Sequence, residues 1–222
     1  MIINCSFFNQ DALMVAQALL GKVIRHYYQG MWLSAMIIET EAYYKSEKGS
    51  HASLGFTEKR KALFMKPGTI YMYYARGGDS LNVSCQGAGN AVLIKSGYAY
   101  HGEKEAPEML AAMQKLNPPK NSQPVRPVHR LCSGQTLVCK SLGLRVTDWD
   151  QKTFDPKRLF IDDIGYRPQK FIQSRRLGIP EGRDEHLPNR FIDYEKAAYC
   201  TSNPLRKRKW KEGREYWILS LS

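Results

Sequence analysis

Glu39 and Glu41 close an apolar run, Met36-Ile37-Ile38, and Tyr43 follows them. The run predicts a strand, and alternation then places both acids on one face. A carboxylate so placed can serve as a general base or bind a metal. Burial beside aromatics disfavours its charged form and raises its pKa, which suits proton transfer. The competing reading is a pair of solvated acids on an edge strand. A second group is Tyr71, Tyr73, Tyr74 and Arg76, just ahead of Gly77-Gly78. A hairpin of that composition can wedge into a groove and stack on a base. Alternate strand tyrosines, Tyr71 above all, are equally ordinary core residues.

Other chemistries find little support. His26, His51, His101, His129 and His186 form no His-x-x-x-His or Cys/His pair, so no metal site is expected. No Gly-x-Gly-x-x-Gly or Walker loop is present, which argues against a nucleotide cofactor. Cys132-Ser133 lies near His129, but a nucleophile and its base are recognised by geometry, so this spacing is no sign of a triad. A buried cysteine explains it.

The groups above need elements to hold them. Asp11 to Leu20 predicts a short amphipathic helix, with Asp11 at its N-cap and Gly21 past its end. Strands are predicted at 22–28 and 32–39 around the turn Gln29-Gly30. The polar stretch 44–63 reads as loop plus a short helix. Strands 69–74 and 80–85 flank Arg76-Gly77-Gly78-Asp79 as a β-hairpin, with Pro67-Gly68 turning into it. After the Gly-rich turn 86–90, Ala91 to Ser96 reads as a buried strand. Helices are predicted at 105–116 and from Ser133-Gly134 to Leu142. Between them, 117–127 holds four prolines and is an irregular connection. Strands are predicted at 158–161 and 216–221. With no repeat or internal linker, the pattern is one mixed α/β (α+β) domain with mainly antiparallel strands.

Charge narrows the partner. Lys and Arg number 33 against 21 Asp and Glu, a net +12 that favours a polyanion. From Asn203 to Ser222 there are six Lys or Arg and two Glu. There Arg206-Lys207-Arg208-Lys209 runs into Trp210 and Lys211, so cations that displace counterions from phosphate surround a ring that can stack. A solvated basic tail is the plainer reading. The 222 residues, 43% apolar, suffice for a substantial core. No apolar run approaches the ~20 residues of a membrane span, and 1–21 does not read as a secretory signal. Five cysteines without a Cys-x2-Cys pair suit a reducing compartment, cytoplasmic or nuclear.

Several blocks together are more specific. Ala16 to Val23, Ile38-Glu39-Thr40-Glu41-Ala42-Tyr43, His51, Phe64 to Tyr71, Asn82-Val83-Ser84 and Leu131 to Gly134 occur in order. Arg176-Leu177-Gly178-Ile179 and Asn189-Arg190-Phe191 follow more weakly. In these blocks the chain resembles the alkyladenine (3-methyladenine) DNA glycosylases of the mammalian type, not the helix-hairpin-helix type. The resemblance covers most of the chain but not the tail beyond Asn203. It implies a glycosylase domain over 1–202, with a curved sheet, surrounding helices and a protruding hairpin, and a basic segment, 203–222, packed on or extending it.

The resemblance also implies a function: monomeric excision of alkylated or deaminated purines from duplex DNA, leaving an abasic site, without metal or cofactor. The nucleotide must be flipped out, at roughly a few kcal/mol. By family position Glu41 activates the attacking water, the Leu177 carbonyl helps hold it, and Glu39 is a supporting or structural acid. Tyr43, Tyr73 and His51 wall the base. Asn82 disfavours the 2-amino group of guanine. Lys66 and Lys140 contact the DNA backbone, Lys140 partly compensating for Leu137, where the family usually has a basic residue. Two departures stand out. The intercalating tyrosine aligns with Arg76 in a slightly shorter hairpin, which leaves Tyr74 as an alternative wedge, and Asp79 at the tip would repel phosphate. The water-positioning arginine aligns with Lys95, which lacks the planar fork. These departures keep alive a non-catalytic nucleic-acid-binding module and, more weakly, a lyase using Lys95 as its amine.

Overall fold

The computed structural model describes residues 1–75, 77–101, 106–120 and 125–220. Its described strands form one open sheet in the order β3 (Ile70–Ala75), β4 (Gly78–Ser84), β5 (Ala91–Ala99), β2 (Met31–Tyr43), β8 (Arg190–Asp193), β7 (Lys170–Ser174) and β9 (Tyr216–Ser220). Two more, β1 (Val23–Tyr28) and β6 (Leu159–Asp162), branch from β2. All these strands pair antiparallel. The fold is the mixed α/β domain read from the sequence.

β2 organises the site. One edge pairs with β1 as far as Met36 and then, from Glu39 to Glu41, with β8. The other edge pairs with β5 from Ala35 to Tyr43. The Glu-Thr-Glu segment therefore lies inside the sheet, and the expected strand end at Glu39 is overrun to Tyr43. The register also slips twice. Ile37 faces Gly97, Glu39 faces Ser96 and Thr40 faces Ile94, so Ile38 and Lys95 are each left without an opposite number. Such bulges re-aim side chains.

Helices cover the sheet. In α2 (Ala12–Ala18), capped by the Asp11 side chain on the Leu13 N–H, Ala12, Val15 and Ala16 are buried. The Ala16 carbonyl accepts a bond from Thr40 Oγ1, the residue between the two acids, at 2.8 Å. α4 (Gln135–Leu142) starts after Gly134, at φ +135°, and stops at left-handed Gly143. It buries Val138, Cys139 and Leu142 in the main core. Burying Val138 and Leu142 contributes about 1.5–3 kcal/mol each. α3 (Ala106–Leu116) and the four-residue α1 (Cys5–Phe8) and α5 (Val146–Trp149) complete the set. Short 3₁₀ helices at His51–Leu54 and Glu58–Phe64 occupy the stretch expected to be loop plus a short helix.

Two differences from the sequence expectation matter. β7 and β8 were not foreseen. β8 begins and ends on charged residues, Arg190 and Asp193, both wholly buried. Asp79 is not at the hairpin tip. It lies within β4 opposite Tyr74, and its carboxylate accepts the Val146 N–H at the start of α5. The strand expected from Tyr216 appears as β9 and pairs with β7. The predicted helix start, Glu105, and the predicted wedge, Arg76, lie outside the described residues.

Candidate active site

The two bulges explain how the acids are held apart chemically. Ser96 Oγ reaches Glu39 at 2.5 Å, and Lys95 Nζ reaches Glu41 at 3.4 Å. Adjacent residues on a regular strand would point to opposite faces. The slip at Lys95 lets both neighbours serve one side. Glu39 is fully buried and also accepts from Arg190 Nε at 2.6 Å and from the Thr201 N–H at 2.9 Å. Burial alone would raise its pKa, but Arg190, Ser96 and Thr201 outweigh burial and hold it below the ordinary range. Arg190 in turn donates to the Ser202 carbonyl. Glu39 is thus a fastener between β2, β8 and the chain near 200.

Glu41 is also fully buried, but its partners all line a cavity. Oε2 accepts from Tyr43 Oη at 2.7 Å and from Lys95, and Oε1 accepts from the Leu177 N–H at 3.1 Å. The family position implied a role for the Leu177 carbonyl; the contact seen is through its amide. The cavity holds about 410 Å³, within the small-molecule range of about 300–1,000 Å³. Glu41 lies just beneath its floor.

Aromatic rings form the walls. Tyr43 is backed by the Arg176 guanidinium, 4.4 Å from its ring centre. Arg176 also donates to the Ala42 carbonyl at 2.8 Å and pairs with Glu47. Burial and the neighbouring Glu41 push the Tyr43 phenol well above its usual pKa. His51 lies 4.6 Å from the Tyr73 ring, and its Nδ1 meets Tyr71 Oη at 2.9 Å. Burial, Arg60 and Arg183 lower the His51 pKa, which favours a neutral ring. Asn82 is buried, lines the cavity and donates to the Tyr71 carbonyl at 3.2 Å.

The structure therefore brings Glu41, Lys95, Leu177, Tyr43, His51, Tyr73 and Asn82 to one cavity. The remaining candidates lie elsewhere. Tyr74 is 67% exposed near the hairpin end, and strand alternation puts it opposite Tyr73. Lys66 is exposed on the approach to β3. Lys140 on α4 lies against the hairpin: a Cβ at Gly78 would stand 3.4 Å from its Cε. Cys132 is buried, its thiol pushed up to about 12 by burial, and Ser133 Oγ donates to the Tyr199 carbonyl at 2.6 Å, so neither forms a nucleophile with His129. Among the described residues no His, Cys, Asp and Glu group large enough to hold a metal ion appears.

Sequence reasoning missed Gln135 and the roles of Glu47 and Arg176. Gln135 lines the cavity and accepts from Lys95 Nζ at 3.0 Å. The quoted Leu131 to Gly134 block stopped one residue short of it.

A model of the methylpurine-DNA glycosylase (MPG) family matches residues 6–197. A Pseudomonas aeruginosa protein with the provisional name 3-methyladenine DNA glycosylase is 61% identical over 214 residues, 96% of this chain and 89% of its own. One from Pseudomonas savastanoi, under the same provisional name, is 60% identical over 213 residues, 96% of this chain and 95% of its own. The DNA-3-methyladenine glycosylase of Mus musculus is 34% identical over 186 residues, 78% of this chain and 53% of its own. This chain belongs to the methylpurine-DNA glycosylase family and is a DNA glycosylase of the non-helix-hairpin-helix type.

Proposed function

We propose that the chain excises alkylated and deaminated purines from duplex DNA by hydrolysis, with Glu41 as general base. The observation that carries this reading is a buried carboxylate beneath a cavity walled by Tyr43, Tyr73 and His51. A carboxylate offers about four lone-pair positions. Tyr43, Lys95 and the Leu177 amide use three. One is left for water. That water attacks the sugar C1′ and gives its proton to Glu41, while the electrons of the N-glycosidic bond leave with the base. Lys95 keeps positive charge beside the acid and the water, and the Leu177 carbonyl is the water's second acceptor. An alkylated purine carrying positive charge gains from tyrosine faces. Asn82 disfavours a 2-amino group in the same pocket.

The target must leave the duplex to reach this cavity. The hairpin end, with Arg76 or Tyr74 as wedge, fills the gap, and Lys66 and Lys140 hold phosphates as the protein, a monomer, tracks the backbone. The decisive experiment is base release from duplexes carrying 3-methyladenine or hypoxanthine. Glu41→Gln is expected to slow release at least about 100-fold while lesion-duplex binding persists. Release at the wild-type rate would remove Glu41 from this role. Wild-type protein that binds DNA but releases no base from either lesion would favour a non-catalytic binding module.

A further inference from the structure

We propose that Gln135 is the positioning residue that holds Lys95 against Glu41, replacing the second anchor that a lysine lacks. The proposal rests on the reading of Glu41 as the water-activating base. A lysine ammonium is a point charge on a flexible stem, whereas an arginine carries its own planar pair of donors. Lys95 sits at a bulge, and two acceptors hold its ammonium: Glu41 Oε2 at 3.4 Å and Gln135 Oε1 at 3.0 Å. The amide is the closer of the two.

The amide orientation follows from chemistry. Lys95 can only donate, so the atom facing it is the carbonyl oxygen. Nε2 then faces Ser80 Oγ at 2.8 Å and Tyr73 Oη at 3.3 Å. Ser80 is fully buried on β4. Gln135 is the first residue of α4, so its backbone is set by the helix and by Gly134 before it. One side chain thus joins α4 to β4, β5 and the Tyr73 wall, and it points the charge at the acid.

The test is single-turnover base release with excess enzyme, measured across pH. Gln135→Met is expected to slow release about tenfold, the worth of one charge-assisted hydrogen bond. Lys95→Arg is expected to remove that dependence, so the double variant Lys95→Arg with Gln135→Met releases base at the rate of Lys95→Arg alone. Gln135→Glu keeps the shape but competes with Glu41 for the ammonium, and is expected to slow release and alter the pH profile. Should Gln135→Met fail to fold, the Gln135→Glu profile decides. Wild-type rate and profile in the folded variants, or an equal loss with lysine and arginine, would overturn the proposal. Absence of release by the wild-type protein would instead defeat the reading of Glu41.

Discussion

Two glutamates two positions apart have opposite fates because of their partners. Glu39 is bound by Arg190, Ser96 and Thr201, none of which lines the cavity. Removing one partner of a buried ion pair leaves the other charge uncompensated and costs about 3–5 kcal/mol. Glu39→Gln should therefore lower the unfolding free energy by about that amount, while the folded fraction still releases base. Full stability with lost activity would reverse the assignment. A second residue-scale effect concerns His26, buried with Nδ1 2.6 Å from the Leu142 carbonyl. Burial lowers its pKa from 6.5, with help from Arg158 and against the pull of the carbonyl. The unfolded chain then binds the proton first as pH falls. Stability should drop as pH passes below about 6.5 and level off under the folded-state pKa. His26→Asn keeps a donor toward Leu142 and should flatten that part of the curve. An unchanged slope in denaturant melts would rule His26 out as its source.

At the scale of elements, the hairpin is anchored from within. Asp79 Oδ1 accepts the Val146 N–H at 3.2 Å, so the charge that looked repulsive at a tip satisfies a helix start instead. Asp79→Ala should cost roughly 1 kcal/mol, as helix-capping losses do, and should speed amide exchange across 78–84. Exchange unchanged from wild type would show that the tether is dispensable. Elements with strong local signals were legible: the Asp11-capped helix, the hairpin around Gly77-Gly78 and the helix ending at Leu142 all appear. β8 was not, because Arg190 and Asp193 argue for solvent, and it takes Glu39 on the neighbouring strand and the Ser202 carbonyl to make Arg190 tolerable inside. The bulges were equally hidden. A register slip depends on the partner strand, and periodicity along β2 alone predicts regular alternation.

Over the whole molecule, the +12 charge has a measurable consequence. Each phosphate neutralised should contribute about −0.9 to the slope of log K against log salt. Lys66→Glu and Lys140→Glu should each weaken binding across sequences and reduce the slope by roughly one. Slopes equal to wild type would remove both from the DNA footprint. The basic tail takes a different character from the one its composition suggests. Trp210 has Lys207 Nζ at 3.9 Å and the Arg175 guanidinium at 4.7 Å from its ring centre, so the ring is already engaged. Beyond it, β9 pairs with β7 and becomes the outer strand at that end of the sheet.

Family, fold class and the chief cavity residues were legible because they reside in contiguous blocks, in which spacing along the chain reflects the needs of one site. Glu41 and its flanking Tyr43 are such a case. The contacts of Gln135, Glu47 and Arg176, and the partners that each acid bonds, became visible in tertiary structure alone. Lys95 lies 54 residues from Glu41, Arg190 lies 151 from Glu39, and Gln135 lies 40 from Lys95. Hydrogen bonds and ion pairs act over a few ångströms of space, so the partners that hold each acid emerge only when the bulged strands meet.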